Sequence, residues 1–104
     1  MISKSSLKIV IIIPARYHSS RLPGKPLINI CGKSMINRTY DRCCQSLKVE
    51  NIFVATDDLR IYTHCKELNM NVIMTPSSCK TGTDRVYEAS KKIKADIYIN
   101  VQGD

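Results

Sequence analysis

An α/β fold, with a mostly parallel sheet and flanking helices, is what this sequence predicts, and three observations carry the expectation. Four short apolar, β-branched runs recur along the chain, at 8–13 (KIVIII), 51–56 (NIFVAT), 71–75 (NVIMT) and 96–101 (DIYINV). Between them lie segments whose apolar residues repeat at helical spacing. The links are only a few residues long, so strands and helices alternate, which argues for parallel strands joined by crossovers.

Each element has a local reason. The run at 8–13 is continuous rather than alternating, as expected of a strand buried on both faces. From Ser34 to Leu47 the residues Ile36, Tyr40, Cys44 and Leu47 fall on one helical face, and Ser34 is a candidate N-cap. After the strand at 51–56, Ile61, Cys65 and Leu68 mark a second helix, with Asp57 or Asp58 at its cap. Pro76 ends the strand at 71–75. The loop PSSCKTG then leads into a helix from about Thr83 to Ile93, with Val86, Ala89 and Ile93 on one face and Thr83 able to cap it. The strand at 96–101 follows, and then Gln102, Gly103 and Asp104. Cys44 and Cys65 read as core, and Tyr40, Tyr62 and Tyr87 as packing residues. Right-handed crossovers put all four strand carboxyl ends on one edge, where open α/β sheets bind ligands. The segments 14–26, 57–58, 76–84 and 102–104 fall on that edge.

The bulk properties fit one small domain of 104 residues. No stretch approaches the roughly 20 apolar residues that span a bilayer. The start, MISKSSLKIVIII, has the look of a signal peptide, but its apolar run is short and leads into Pro14, Ala15 and Arg16 without a small-residue cleavage site. A cytoplasmic protein is expected. Five cysteines, an odd count with no Cys-x-x-Cys pair, read as reduced thiols rather than disulfides or zinc ligands. Sixteen Lys and Arg against nine Asp and Glu give a formal charge of +7, which calls for an anionic partner. No RNA-binding aromatic pattern is present, so no nucleic-acid partner is expected, and a nucleotide or acidic metabolite remains.

The ligand-edge segments carry specific chemistry. PARYHSSRLPGKPL, from Pro14 to Leu27, holds three prolines, one glycine and the cations Arg16, Arg21 and Lys25, with no acid. Proline stiffens such a loop, Gly24 permits close approach, and Arg and Lys can grip phosphate. Neither a Walker A loop nor a G-x-G-x-x-G turn is present. The loop suits a polyphosphate, or it is simply a basic proline-rich surface. In TGTDR, Gly82 makes a turn, and Arg85 sits in a first helical turn, where a cation opposes the helix dipole. That placement hints at a task beyond the helix, although a plain capped start is the ordinary reading. In VQGD, Gln102 could read a base edge and Asp104 could hold Mg²⁺, or the segment is a turn. Asp57 and Asp58 are caps or a carboxylate pair, and capping is the better reading.

Taken together and in order, IIIPARYHSSRLPGKPL, CGKSMI, VATDD, TGTDR and NVQGD resemble the N-terminal part of the 3-deoxy-manno-octulosonate cytidylyltransferase (CMP-Kdo synthetase) family. The likeness runs from about Ile9 to Asp104. CMP-sialic acid synthetases share a looser version of the first loop. The resemblance implies a Rossmann-like nucleotide-diphosphosugar transferase fold. It implies CTP and Kdo (3-deoxy-D-manno-octulosonate) as substrates, Mg²⁺ as cofactor, no membrane partner, and a homodimer at full length. Residue by residue, it implies that Arg16 and Lys25 contact the triphosphate and carry the catalysis, with Ser20 and Arg21 supporting the loop. Gly82, Arg85 and Gln102 would bind the cytosine and ribose, and Asp104 would hold the metal. Two positions depart from the family pattern, which has proline where Ser34 stands and serine where Thr81 stands. Family chains are more than twice as long, so residues 1–104 read as a single partial nucleotidyltransferase domain, the CTP-binding half, inactive alone. The alternatives are a sister cytidylyltransferase for another acidic sugar, and a non-catalytic nucleotide-binding remnant.

Overall fold

A computed structural model describes residues 7–18 and 22–102. Strand β1 (Ile9–Pro14) forms where a continuous β-branched run favours extended backbone. A 3-10 turn at Lys25–Leu27 follows, then the short strands β2 (Asn29–Ile30) and β3 (Lys33–Ser34) and helix α1 (Met35–Cys43). A second 3-10 turn at Val49–Asn51 leads to β4 (Ile52–Thr56), α2 (Leu59–Glu67), β5 (Val72–Met74), α3 (Gly82–Ser90) and β6 (Ile97–Asn100).

The main sheet is fully parallel, in the order β5-β4-β1-β6. From β1 the chain moves one way through β4 to β5, then returns past β1 to β6. The sheet is therefore doubly wound, with its switch point between β1 and β6. The register explains why 8–13 does not alternate. Ile11 and Ile13 pack with Ile36, Tyr40, Val54, Ile61 and Cys65, beneath α1 and α2. Val10 and Ile12 pack on the opposite face with Ala55, Ala89 and Ile93, beneath α3. Both faces of β1 are dry, so both parities of the strand are apolar. Tyr40 is buried, and its hydroxyl is satisfied, donating to the Ile52 carbonyl at 3.2 Å and accepting from the Asn71 N–H at 3.1 Å.

Several expectations need correction. The α1 face that turns inward is Ile36, Thr39, Tyr40 and Cys43, and Cys44 is the exposed C-cap. Of two adjacent cysteines only one can face the core, because neighbours differ by about 100° around a helix. Leu68 is largely exposed, and so is Tyr87, which lies beside Lys91 rather than in a core. Helix α3 begins at Gly82 and ends at Ser90, and its cap is Thr81, whose hydroxyl accepts from the Asp84 N–H, rather than Thr83. Ser34 does cap α1, accepting from the Asn37 N–H at 3.2 Å. The β2–β3 hairpin was not foreseen. Its turn residues Cys31 and Gly32 both have positive φ, the geometry of the tight turns that join antiparallel strands. All five cysteines are free thiols. Among the described residues, no helix is long and apolar enough to cross a membrane.

Candidate nucleotide site

At the switch point the carboxyl ends of β1 and β6 part, and the N-terminus of α3 points into the gap. The cleft there has a volume of about 310 Å³. Its floor is Pro14 and Ala15 as the chain leaves β1, and its walls bring Arg16 and Lys25 opposite Lys80, Gly82 and Arg85, with Gln102 arriving from β6. Among the described residues, four cations line it and no carboxylate does. The first N–H groups of α3 have no intrahelical acceptor, so the helix end adds further donors and a positive dipole end. The arrangement is suited to an anion with several oxygens, and the apolar floor to the flat face of a ring.

The loop after β1 is closed by its own backbone. The Gly24 N–H donates to the Tyr17 carbonyl at 2.6 Å. Gly24 has φ +74°, and a Cβ there would stand 3.0 Å from the Tyr17 ring, so glycine is required twice over. Pro26 is buried within the following 3-10 turn, which fixes Lys25 beside it. At the far wall, a Cβ on Gly82 would lie 3.1 Å from the Gln102 amide nitrogen and 3.3 Å from Pro14. Gly82 is therefore the residue that lets α3 start against both β1 and β6.

Arg85 is only 4% exposed. Its Nη1 donates to the Thr75 hydroxyl at 2.6 Å and lies 3.8 Å from the Asp57 carboxylate. Thr75 follows β5 and Asp57 follows β4, so this cation joins α3 to two strand ends as well as lining the cleft. The two adjacent acids thus divide their tasks. Asp58 is the cap of α2, accepting from the Arg60 and Ile61 N–H groups at 2.9 and 3.3 Å, while Asp57 faces Arg85.

Hydrogen bonds from the Arg60 side chain, reinforced by the two backbone N–H groups, hold the Asp58 carboxyl below its ordinary value of 3.8. The folded pKa is below the unfolded one, so this carboxylate's contribution is complete above about pH 4 and fades as the pH falls through the folded pKa. Asp58→Asn keeps a cap oxygen but removes the charge that Arg60 pairs with, and is expected to lower stability at pH 7 and to flatten the acid limb. Thermal melts of both proteins from neutral pH down to about pH 3 check this, and parallel acid limbs would refute it.

Arg16, Lys25, Gly82, Arg85 and Gln102 thus meet in one cleft. Ser20, Arg21 and Asp104 lie outside the described residues. Among the described residues no three His, Cys, Asp or Glu side chains gather to hold a metal. Lys80 was missed by sequence reasoning; the only available signal was its place in the loop before TGTDR.

A doubly wound α/β sheet with a cationic cleft at its switch point places the chain in the class of open α/β proteins whose ligand sites lie beyond the carboxyl ends of the strands. Within that class, residues 10–104 match the family model described as Cytidylyltransferase, and the chain belongs to that family. It is similar to the 3-deoxy-manno-octulosonate cytidylyltransferase of Escherichia coli, 52% identical over 97 residues, which are 93% of this chain and 39% of that protein. The mitochondrial 3-deoxy-manno-octulosonate cytidylyltransferase of Arabidopsis thaliana is 50% identical over 99 residues, with 93% of this chain and 34% of the relative covered. The solved structure of CMP:2-keto-3-deoxy-manno-octonic acid synthetase complexed with CTP superposes with a TM-score of 0.84 at 50% identity, covering 93% of this chain and 40% of that one. The chain therefore spans about two fifths of the length of these relatives.

Proposed function

We propose that this chain is the CTP-binding portion of a cytidylyltransferase that activates Kdo, giving CMP-Kdo and pyrophosphate. The cleft at the switch point, lined among the described residues by four cations and no acid, carries the proposal. A similar solved structure that holds CTP supports the choice of nucleotide, and relatives that bear the Kdo enzyme's name support the choice of sugar.

In this reading Arg16 and Lys25 contact the triphosphate, Ser20 and Arg21 support the loop, and Lys80 adds a further cation. Gly82, Arg85 and Gln102 shape the cytosine and ribose pocket. The anomeric hydroxyl oxygen of Kdo bonds to the α-phosphorus as the bond to the bridging oxygen breaks. The hydroxyl proton passes to water, and pyrophosphate leaves. Positioning and charge neutralisation do most of the catalysis in such in-line displacements. Two cations from a closed loop and one helix N-terminus supply both here. Mg²⁺ belongs to the proposal: one carboxylate together with phosphate oxygens is a set that this ion accepts, and Asp104, two residues past Gln102, offers that carboxylate. Bound there, it would neutralise charge on the phosphate oxygens. A cytoplasmic setting, supported by five free thiols, and a homodimer of the longer protein complete the reading.

A second reading is a nucleotide-binding remnant without turnover. Calorimetry with CTP tests what the two have in common: saturable binding is expected, stronger than that of CMP. Pyrophosphate release from CTP, assayed with Kdo and with sialic acid, then separates them. Release with Kdo supports the first reading, release with sialic acid points to the sister enzyme, and binding without release leaves the remnant. An absence of CTP binding would overturn all three.

A further inference from the structure

We propose that Tyr17 and Arg60 are positioning residues for the phosphate grip, with Asp58 as their anchor. The inference rests on the nucleotide reading above and adds to it residues that do not line the cleft. The Arg60 guanidinium lies over the Tyr17 ring, 3.3 Å from its centroid. It is held there as a fork, with Nε and Nη2 donating to the two Asp58 oxygens at 3.1 and 2.7 Å. Asp58 is itself fixed as the cap of α2. The Tyr17 ring is therefore covered by a rigid plane on the α2 side. It stands against Gly24 elsewhere, where even a methyl group would approach to 3.0 Å. The Tyr17 carbonyl accepts the Gly24 N–H.

Tyr17 thus clasps both feet of the loop that leaves β1. Arg16 precedes one foot and Lys25 follows the other, and both line the cleft. The separation of these two cations is set by where Tyr17 sits, and Tyr17 sits where Arg60 stacks. A planar guanidinium can satisfy the carboxylate fork and the ring face at once, which a lysine cannot.

The test uses inorganic tripolyphosphate and CTP as probes, with calorimetry on the 104-residue chain. Arg60→Ala is expected to weaken both by the same factor, about three- to tenfold, with only a modest fall in melting temperature, because Asp58 keeps its two backbone N–H donors as the cap of α2. Arg60→Lys keeps the charge and is expected to remain weakened. Tyr17→Phe is expected to bind as the wild type, whereas Tyr17→Leu loses affinity. In NMR spectra without ligand, the Gly24 and Lys25 amide resonances should shift in Arg60→Ala. Tripolyphosphate binding by Arg60→Ala at wild-type affinity would overturn the clasp. So would full rescue by Arg60→Lys, which would make Arg60 a source of general attraction only. A wild-type chain that binds neither probe overturns the nucleotide reading itself, and the clasp's role with it.

Discussion

Replacing Arg85 by methionine is expected to be the most destabilising single change at the site. Methionine keeps much of the stem and its packing but removes the guanidinium. The Thr75 hydroxyl, itself only 6% exposed, loses the donor that approaches it at 2.6 Å. Asp57 keeps its charge and loses its cation. Removing one partner of a buried pair costs about 3–5 kcal/mol, and the lower end applies because the Asp57 carboxylate reaches some solvent. For a chain of this size that is a fall in melting temperature of more than about 10 °C. Thermal and urea unfolding measure it, and a fall under about 2 °C would show that the Arg85 contacts are incidental. Adding Asp57→Asn to the variant should recover part of the loss, since the stranded charge then disappears. Such recovery is the signature of coupling between neighbouring sites.

Removing Arg16 and Lys25 together should leave the fold intact and abolish nucleotide affinity. Arg16 is exposed and Lys25 half-buried, and neither belongs to the core. Each charge-assisted hydrogen bond to a phosphate contributes about 1.5–3 kcal/mol, so each single alanine variant should bind CTP about 10- to 100-fold more weakly. The double variant should bind too weakly to saturate. In a longer protein that completes the site, turnover should fall by about two to three orders of magnitude for each. Calorimetry on the short chain and a pyrophosphate assay on the longer protein give the two readings. Unchanged CTP affinity in both single variants would remove the loop from the site. Stability and affinity are thus predicted to separate: Arg85 carries both, whereas Arg16 and Lys25 carry only the second.

What the sequence made legible was whatever local patterning determines. The β1 run is apolar at every position because it lies under helices on both faces, and such a run is readable without partners. Ser34 could be read as a cap because a hydroxyl before a helix has one strong local use. The cleft's cations were readable wherever they shared a short motif, as Arg16 and Lys25 do. The rest depended on contacts between distant segments or on small phase differences. Asp57 and Arg85 lie on separate elements and meet only because β4 and the start of α3 end on the same edge. Cys43 and Cys44 differ by one step around a helix, and which one is buried follows from the strand it meets. Thr81 immediately precedes α3 whereas Thr83 lies inside its first turn, and Thr81 is the cap because the Asp84 N–H falls three residues beyond it. The strands of the β2–β3 hairpin are two residues each, too short for any alternation to show.

One buried side chain gives the protein an internal clock. Cys65 has no exposure on α2, and burial pushes its thiol up to about 12. In the folded chain it is therefore both unreachable and protonated, while Cys31 and Cys44 lie at the surface. A thiol reagent should label the surface pair at once and reach Cys65 only when α2 lifts from the sheet. Its labelling rate, divided by that of an unfolded control, is the equilibrium constant for that opening. Followed by mass spectrometry with and without CTP, the same ratio would report how far the nucleotide at one edge of the sheet tightens a helix packed on its face.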